Sequence, residues 1–331
     1  MESEQFLGPQ NTGDGPLLRR VRLHQSWYRA EILRLPRWGV TKGRSPRQLG
    51  SVLTDADAAA GLNFTSPAAV DLFNTRHAAG WGIDPRCRSY MTSSQALTLN
   101  LFGLLSQSET WLLECLNTWL GRSDLNHIEA LELEFAPARR SLHLNDQTRI
   151  DALIVVTGDC GAEVVAVEVK YADRFNSRHV DISTPSYHQL ARRSGLWSEP
   201  SQVLTDRRVN QLARIHALAT SHGLALDIDV PASLLVLAHE LDTVASTVVD
   251  EYMTCVTGPL VRRTSLRSAC ASIIAAAPSH QRAMAWNLQL RYGAESESAS
   301  YAASVATSLP TPGSPRRRSP AMSKAKAISS G

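Results

Sequence analysis

Three charged side chains interrupt two otherwise apolar, β-branched stretches: Asp151 within Arg149–Val156, and Glu168 and Lys170 within Ala162–Tyr171. Between them lies Gly158-Asp159-Cys160-Gly161, a turn signal, so the economical reading is an antiparallel hairpin. With Asp159 and Cys160 as the loop, Gly158 faces Gly161, and the same register carries Asp151 directly opposite Glu168. Such partners share a face, with Cβ atoms roughly 4.5–5.5 Å apart. Period-two alternation adds Lys170 to that face and turns Val165, Val167 and Val169 to the other. Two facing carboxylates raise each other's pKa unless a cation lies between them. Mg²⁺ is held by such carboxylates together with water and phosphate oxygens. The ion polarises a phosphoryl oxygen and acidifies bound water, while a neighbouring ammonium steers the nucleophile or stabilises developing charge. That is the chemistry of phosphodiester hydrolysis. The rival reading of the same residues is a solvated salt-bridge cluster on an exposed sheet face, with Lys170 merely neutralising the two acids.

The arrangement of Asp151, a turn, and Glu168-Val169-Lys170 resembles the signature of the PD-(D/E)XK nuclease superfamily, the restriction-endonuclease-like fold. In several members the Asp and the Glu-x-Lys lie on neighbouring strands with a helix before and a helix after. Here a helix is expected from about 94 to 120 and another from about 207 to 221. Ser93-Ser94-Gln95, Asn100-Leu101-Phe102, Asp151-Ala-Leu-Ile154 and Glu168-Val-Lys-Tyr171 look like a little-characterised bacterial branch of that superfamily. The resemblance spans roughly residues 20 to 292. Residue 150 is Ile where the short signature has Pro, and the specificity of the match comes from its strand context.

What the resemblance implies is an α/β fold with a mixed central sheet flanked by helices, carrying a Mg²⁺ site in which Mn²⁺ can substitute. Asp151, Glu168 and the carbonyl of residue 169 would bind the metal, and Lys170 would activate or steer water. Hydrolysis of DNA would leave a 5′-phosphate. Glu109 or Glu114, on the upstream helix, resembles the extra acidic ligand of some members. Gln211 and Arg214 fall where related nucleases position phosphate or water, and Gln95 and Asn100 are candidate supports of the site. Glu134 is a third candidate ligand if its strand neighbours the hairpin. Each of these has a bland counterpart in a solvated helix carboxylate, a cap or a surface hydrogen bond. Two rivals to the nuclease remain: a catalytically inactive nucleic-acid-binding protein of the same fold, and a structural or interaction protein.

Periodicity and punctuation arrange the rest. Residues 1–16 read as a loose lead-in and 18–35 as a helix ended by Pro36. Short helices and loops follow to about 88. Leu97, Leu101, Leu104, Leu105, Trp111, Leu112, Leu116 and Trp119 continue a helical pattern to Gly121. Residues 128–135 alternate as a strand, with Glu132 and Glu134 on one face and Leu131, Leu133 and Phe135 on the other. Residues 173–206 read as a long loop in which Tyr187 and His188 could close over substrate. Ala232–His239 reads as a buried strand, and helices near 243–255, 264–276 and 279–291 end the body. The tail from 293 is Ser, Ala, Pro and Arg/Lys and is expected to be disordered.

The net charge of +3 over 331 residues is accounted for by the tail, which leaves the body neutral. Within the body, residues 17–47 hold nine basic residues against Glu31 alone. Arg19, Arg20, Arg22, Arg29, Arg34 and Arg37 are candidate phosphate contacts, with Trp27, Tyr28 and Trp38 interleaved for base stacking. An amphipathic helix with solvated arginines and core aromatics is the equal alternative. The five cysteines are scattered without Cys-x-x-Cys spacing, which suits free thiols in a reducing compartment. No histidines show metal-ligand spacing, and no phosphate loop or Gly-x-Ser-x-Gly elbow occurs. With no long apolar run and a polar, acidic N-terminus, a cytoplasmic protein is expected. DNA is the expected partner, and a homodimer is left open.

Overall fold

The computed structural model describes residues 6–80, 82–175 and 179–302. A five-stranded mixed sheet runs in the order β3 (Leu125–Phe135), β4 (Ile150–Gly158), β5 (Gly161–Lys170), β6 (Ser233–Ala238), β7 (Val261–Ser265). A two-stranded ribbon of β1 (Gly39–Val40) and β2 (Gln48–Leu49) stands apart from it. The first three sheet strands are antiparallel neighbours, and β5, β6 and β7 are parallel. Parallel pairing needs crossover chain, which helices of residues 185–194, 200–205 and 210–225 supply between β5 and β6, and Thr243–Cys255 between β6 and β7.

The hairpin has the expected register. Gly158 faces Gly161 and the pairing runs to Ala152 opposite Val167. Gly161, at φ +109°, takes a backbone conformation that suits glycine. Alternation along β5 feeds two cores. Val165, Val167 and Val169 enter the one built with the helices Ser94–Leu105, Glu109–Leu120, Leu266–Ala275 and Arg282–Tyr292. Val164 and Ala166 enter the other, with Leu212, Ile215, Val249 and Tyr252 from the opposite helical layer. Both faces of β5 are therefore covered, as its near-continuous apolar composition requires.

Several expected elements differ. The 94–120 helix is two helices, because the Ser108 side chain accepts the Trp111 N–H and caps a second start. The stretch 173–206 is no structureless loop, since the Pro185–Ser194 and Pro200–Thr205 helices lie in it. Strand β7 occupies Val261–Ser265, where Arg262 and Arg263 hide its period, so the following helix starts only at Leu266. In β3, Leu133 and Phe135 enter opposite cores. The residue between them, Glu134, has φ +51°, which breaks the alternation.

Both chain ends of the body differ as well. Leu7, inside the expected lead-in, is fully buried, and a Cβ on Gly50 would lie 1.9 Å from the Leu7 carbonyl oxygen. The segment beyond 293 continues as a 3₁₀ turn, Glu295–Ser298, in which both named residues are buried. Residues 303–331, the rest of the expected disordered tail, lie outside the described residues, as do 1–5.

The N-terminal helix, Pro16–Trp27 with a π-turn at Tyr28–Ile32, is buried without interruption from Val21 to Ala30. A polar helix tolerates that only where each polar group finds a partner. Arg29 donates to the carbonyls of Phe6, Leu7, Leu35, Arg37 and Gly50. Arg22 pairs with Asp14 and donates to Ser51, and Gln25 joins Tyr171 to Arg291. This corrects the surface-helix reading, in which these arginines were solvated.

Candidate active site

At the carboxyl end of β5 the second-face positions change from Val164 and Ala166 to Glu168 and Lys170. Both are buried, at 3% and 7% exposure, which removes the solvated salt-bridge reading. Lys170 Nζ lies 2.7 Å from Glu168 Oε1 and 4.8 Å from the centre of the Phe175 ring. Burial alone would lower the lysine pKa, but the charges of Glu168 and Asp151 outweigh it and the pKa is raised.

Asp151 lies one residue beyond the last β4–β5 pair, so the register sets it opposite Glu168. Its Oδ2 accepts the Val169 N–H at 2.7 Å. Lys170 gives its carbonyl to the His239 N–H, so Lys170 turns its backbone groups to β6, and Val169, its neighbour, turns its own towards β4. The Val169 carbonyl thus points to the side where Asp151 stands and where β4 pairing has ended. Burial raises the Asp151 pKa well above the carboxylate range, and the charges of Glu168 and Glu134 push it further.

Glu134 completes the group. Leu133 pairs with Ala152 and Phe135 with Ile150, which sets Glu134 opposite Asp151 on the other flank of β4. It is 5% exposed, and burial raises its pKa to about 7 despite a hydrogen bond from Gln95 and the charges of Arg149 and Arg76, with Glu168 adding to the rise. Three adjacent antiparallel strands therefore bring three carboxylates to one level. Such hard oxygen donors, with Glu168 raising the pKa of both Asp151 and Glu134, suit a divalent cation such as Mg²⁺ or Mn²⁺.

The helix Asn210–Ala225 supplies Gln211, whose Nε2 donates to Glu168 Oε1 at 2.8 Å. Glu168 Oε1 is held from two sides, by Lys170 and Gln211. One turn later Arg214 is occupied by Asp146, at 2.8 Å from Nε and 2.5 Å from Nη2, and Tyr187 donates to the same carboxylate at 2.7 Å. These three line an open cleft of about 600 Å³ with Thr148, Thr184 and Ser186. Tyr187 is consequently fixed in place and is no mobile loop residue.

Other expected positions fall elsewhere. Glu114 is exposed on its helix and is not brought to the carboxylates, and Glu109 accepts the Ile128 N–H and contacts His127. Those residues belong to the far end of β3, where Leu125 pairs with Gly158 at the hairpin turn. Asn100 is a core link, bonded to Asn63, Thr65 and Tyr292, whereas Gln95 reaches Glu134 and also accepts the Asp84 N–H at 2.8 Å. Of the six arginines, Arg22 and Arg29 have their donors committed inside the fold, and Arg20 donates to Ser298 and the Glu295 carbonyl. Arg19, Arg34 and Arg37 are exposed, Arg34 beside Glu31 at 3.1 Å. Trp27 and Tyr28 are core residues and offer no stacking face. Arg149 and Phe175 were not anticipated. Arg149 donates to the Glu134 carbonyl at 3.4 Å and its place just before the Asp151 strand was the one available sign, while nothing marked Phe175.

A family model described as the PD-(D/E)XK nuclease superfamily matches residues 12–294. No curated protein and no solved structure matches the chain.

Proposed function

The chain belongs to the PD-(D/E)XK nuclease superfamily, and from that membership we propose that it is a divalent-metal-dependent nuclease that hydrolyses DNA phosphodiester bonds. The observation that carries the reading is the convergence of Asp151, Glu168, Lys170 and Glu134 with Gln211 hydrogen-bonded to Glu168. A salt-bridge network made for stability alone would balance its charges. This one sets Glu168 and Asp151 beside the Lys170 ammonium, with Glu134 across β4 from Asp151, and keeps Asp151 and Glu134 with raised pKa.

Asp151, Glu168 and the Val169 carbonyl would hold Mg²⁺, with Mn²⁺ as a substitute and Glu134 as a further ligand in place of Glu114. The bound ion would supply Lewis acidity at the scissile phosphate and lower the pKa of water. Lys170 contributes a fixed positive charge that orients the attacking water and counters charge developing on the phosphate. Phe175 restricts the ammonium from one side, and Gln211 fixes the Glu168 carboxylate, whose remaining lone pairs would serve a metal. Val169 N–H holds Asp151 in its rotamer, which restricts where the substrate phosphate can sit.

Of the six arginines, Arg19, Arg34 and Arg37 are exposed and would serve as phosphate contacts, beside the exposed Lys42, Arg44 and Arg47 of the same segment. Incubation of supercoiled and linear DNA with purified protein in Mg²⁺, Mn²⁺ or EDTA is the test, with Asp151→Asn and Lys170→Met beside the wild type. Cutting that needs metal and vanishes in both variants supports the reading. Binding without cutting in every metal would transfer the function to the inactive binding protein.

A further inference from the structure

Just past the end of β3 the chain brings together two arginines that have no acidic partner. Arg140 and Arg149 line one open pocket of about 420 Å³ with Gly80 and Pro137. Among the described residues no carboxylate lines it, and neither arginine takes part in an ion pair. Arg149 is held in place. It donates to the Glu134 carbonyl at 3.4 Å, and a Cβ on Gly82 would strike its Cζ and both terminal nitrogens, so the guanidinium packs directly on a stretch of backbone that needs glycine. Arg140 opens the 3₁₀ turn Arg140–Leu142, and its side chain has no hydrogen-bond partner among the described residues.

This pocket adjoins the carboxylate cluster. Arg149 precedes Asp151 by two residues, which is at most about 7 Å along the chain, and its charge acts on the Glu134 carboxyl. Ala136 and Pro137, on the pocket wall, follow Glu134 directly. With a divalent ion bound, that ion and Lys170 match the charges of Asp151, Glu168 and Glu134, which leaves both guanidinium charges uncompensated. One feature of the wall opposes an anion. The helix Pro67–Ala78 ends there, and the carbonyl end of a helix carries about half an elementary negative charge. Two full charges on forked, planar donors outweigh it.

We propose that Arg140 and Arg149 seat a phosphate of the substrate strand that flanks the scissile one, an inference that rests on the nuclease reading. Each guanidinium presents paired N–H donors that match two non-bridging phosphate oxygens. At roughly 3.4 Å of helix rise per nucleotide, a separation of at most about 7 Å corresponds to a phosphate one or two nucleotides from the metal. Binding there, away from the reacting atoms, holds the strand so that the scissile phosphate meets Asp151 and Glu168 in register. A terminal phosphate monoester offers the same oxygens as an internal diester, and the test separates the two. The basic composition of residues 17–47 pointed to a different surface, and nothing in the sequence distinguished Arg140 from its neighbour Arg139.

The test is fluorescence anisotropy of a labelled DNA duplex with the full chain carrying Asp151→Asn, in Mg²⁺ and over a range of salt. Adding Arg140→Gln should weaken binding about tenfold. Arg140→Gln together with Arg149→Gln should lower the slope of log affinity against log salt by about 0.9, the share of one phosphate. Arg140→Lys should restore the slope, which a merely structural role would not require. Circular dichroism verifies folding, and Arg140→Gln, which breaks no internal bond, decides alone if the double variant does not fold. Equal losses on duplexes with phosphorylated and unphosphorylated ends assign the seat to an internal diester. A loss confined to phosphorylated ends assigns it to a terminal monoester, and either result supports the proposal. No duplex binding by the parent protein, or affinity and slope unchanged in folded Arg140→Gln, overturns it. Cutting by the wild type is scored separately: binding that depends on Arg140 without any cutting would sink the nuclease reading and leave the phosphate seat standing.

Discussion

Glu134 makes the metal-free protein sensitive to pH, and the effect can be worked out from its surroundings. Its carboxyl is 5% exposed and its pKa is raised from the ordinary 4.5 to about 7, first by burial and then by Glu168. Below the unfolded value the group is protonated in both states and contributes nothing. Between the two values the unfolded chain releases its proton while the folded chain keeps it, so stability falls as pH rises. Above the folded value the loss is complete, at about 3 kcal/mol for a displacement of this size. Asp151, also raised, acts in the same direction. Replacement of Glu134 by Gln keeps the shape and removes the ionisation. In EDTA, urea unfolding of Glu134→Gln should therefore match the wild type near pH 4.5 and exceed it by about 3 kcal/mol near pH 8. Mg²⁺ should narrow the gap near pH 8, because the wild type gains roughly 2.7 kcal/mol at a hundredfold excess over its dissociation constant and the variant gains less. Equal stability of the two proteins near pH 8 without metal would refute the argument, since the carboxyl would then be ionised at no expense in the folded state.

Four further outcomes rest on contacts of the same structure. Lys170→Met should abolish cutting and, by leaving buried Glu168 without its 2.7 Å partner, lower stability by about 3–5 kcal/mol near neutral pH, as urea unfolding would register. Gln211→Ala should reduce cleavage rate or metal affinity by about 10–100-fold while costing about 1 kcal/mol of stability, and an unchanged metal titration and rate would deny it a positioning role. Arg29→Met should destabilise the fold by at least about 3 kcal/mol because five carbonyls lose their donor, yet leave DNA affinity of the folded protein unaltered. Charge reversal of the exposed Arg34 and Arg37 should do the opposite, weakening DNA binding in a salt-dependent way with little effect on unfolding.

Local chemistry wrote much of the centre of this protein into its sequence. The two-residue turn with Gly158 and Gly161 determines the hairpin register, and register with alternation determines that Asp151, Glu168 and Lys170 share a face. The apolar run at Ser233–Ala238 likewise announces a strand buried on both sides. The tertiary structure decided what depends on distant partners. Whether Glu114 or Glu134 joins the carboxylates turns on which strand lies beside β4, and a left-handed residue within β3 then redirects its end. Whether nine basic residues make a DNA-binding face depends on carbonyls and acids brought from other segments. Arg22 and Arg29 met Asp14 and five carbonyls and went inside, a result that composition cannot foretell. Short-range order is encoded in neighbours along the chain, whereas the fate of a charge depends on desolvation and on the donors and acceptors that only the folded chain assembles.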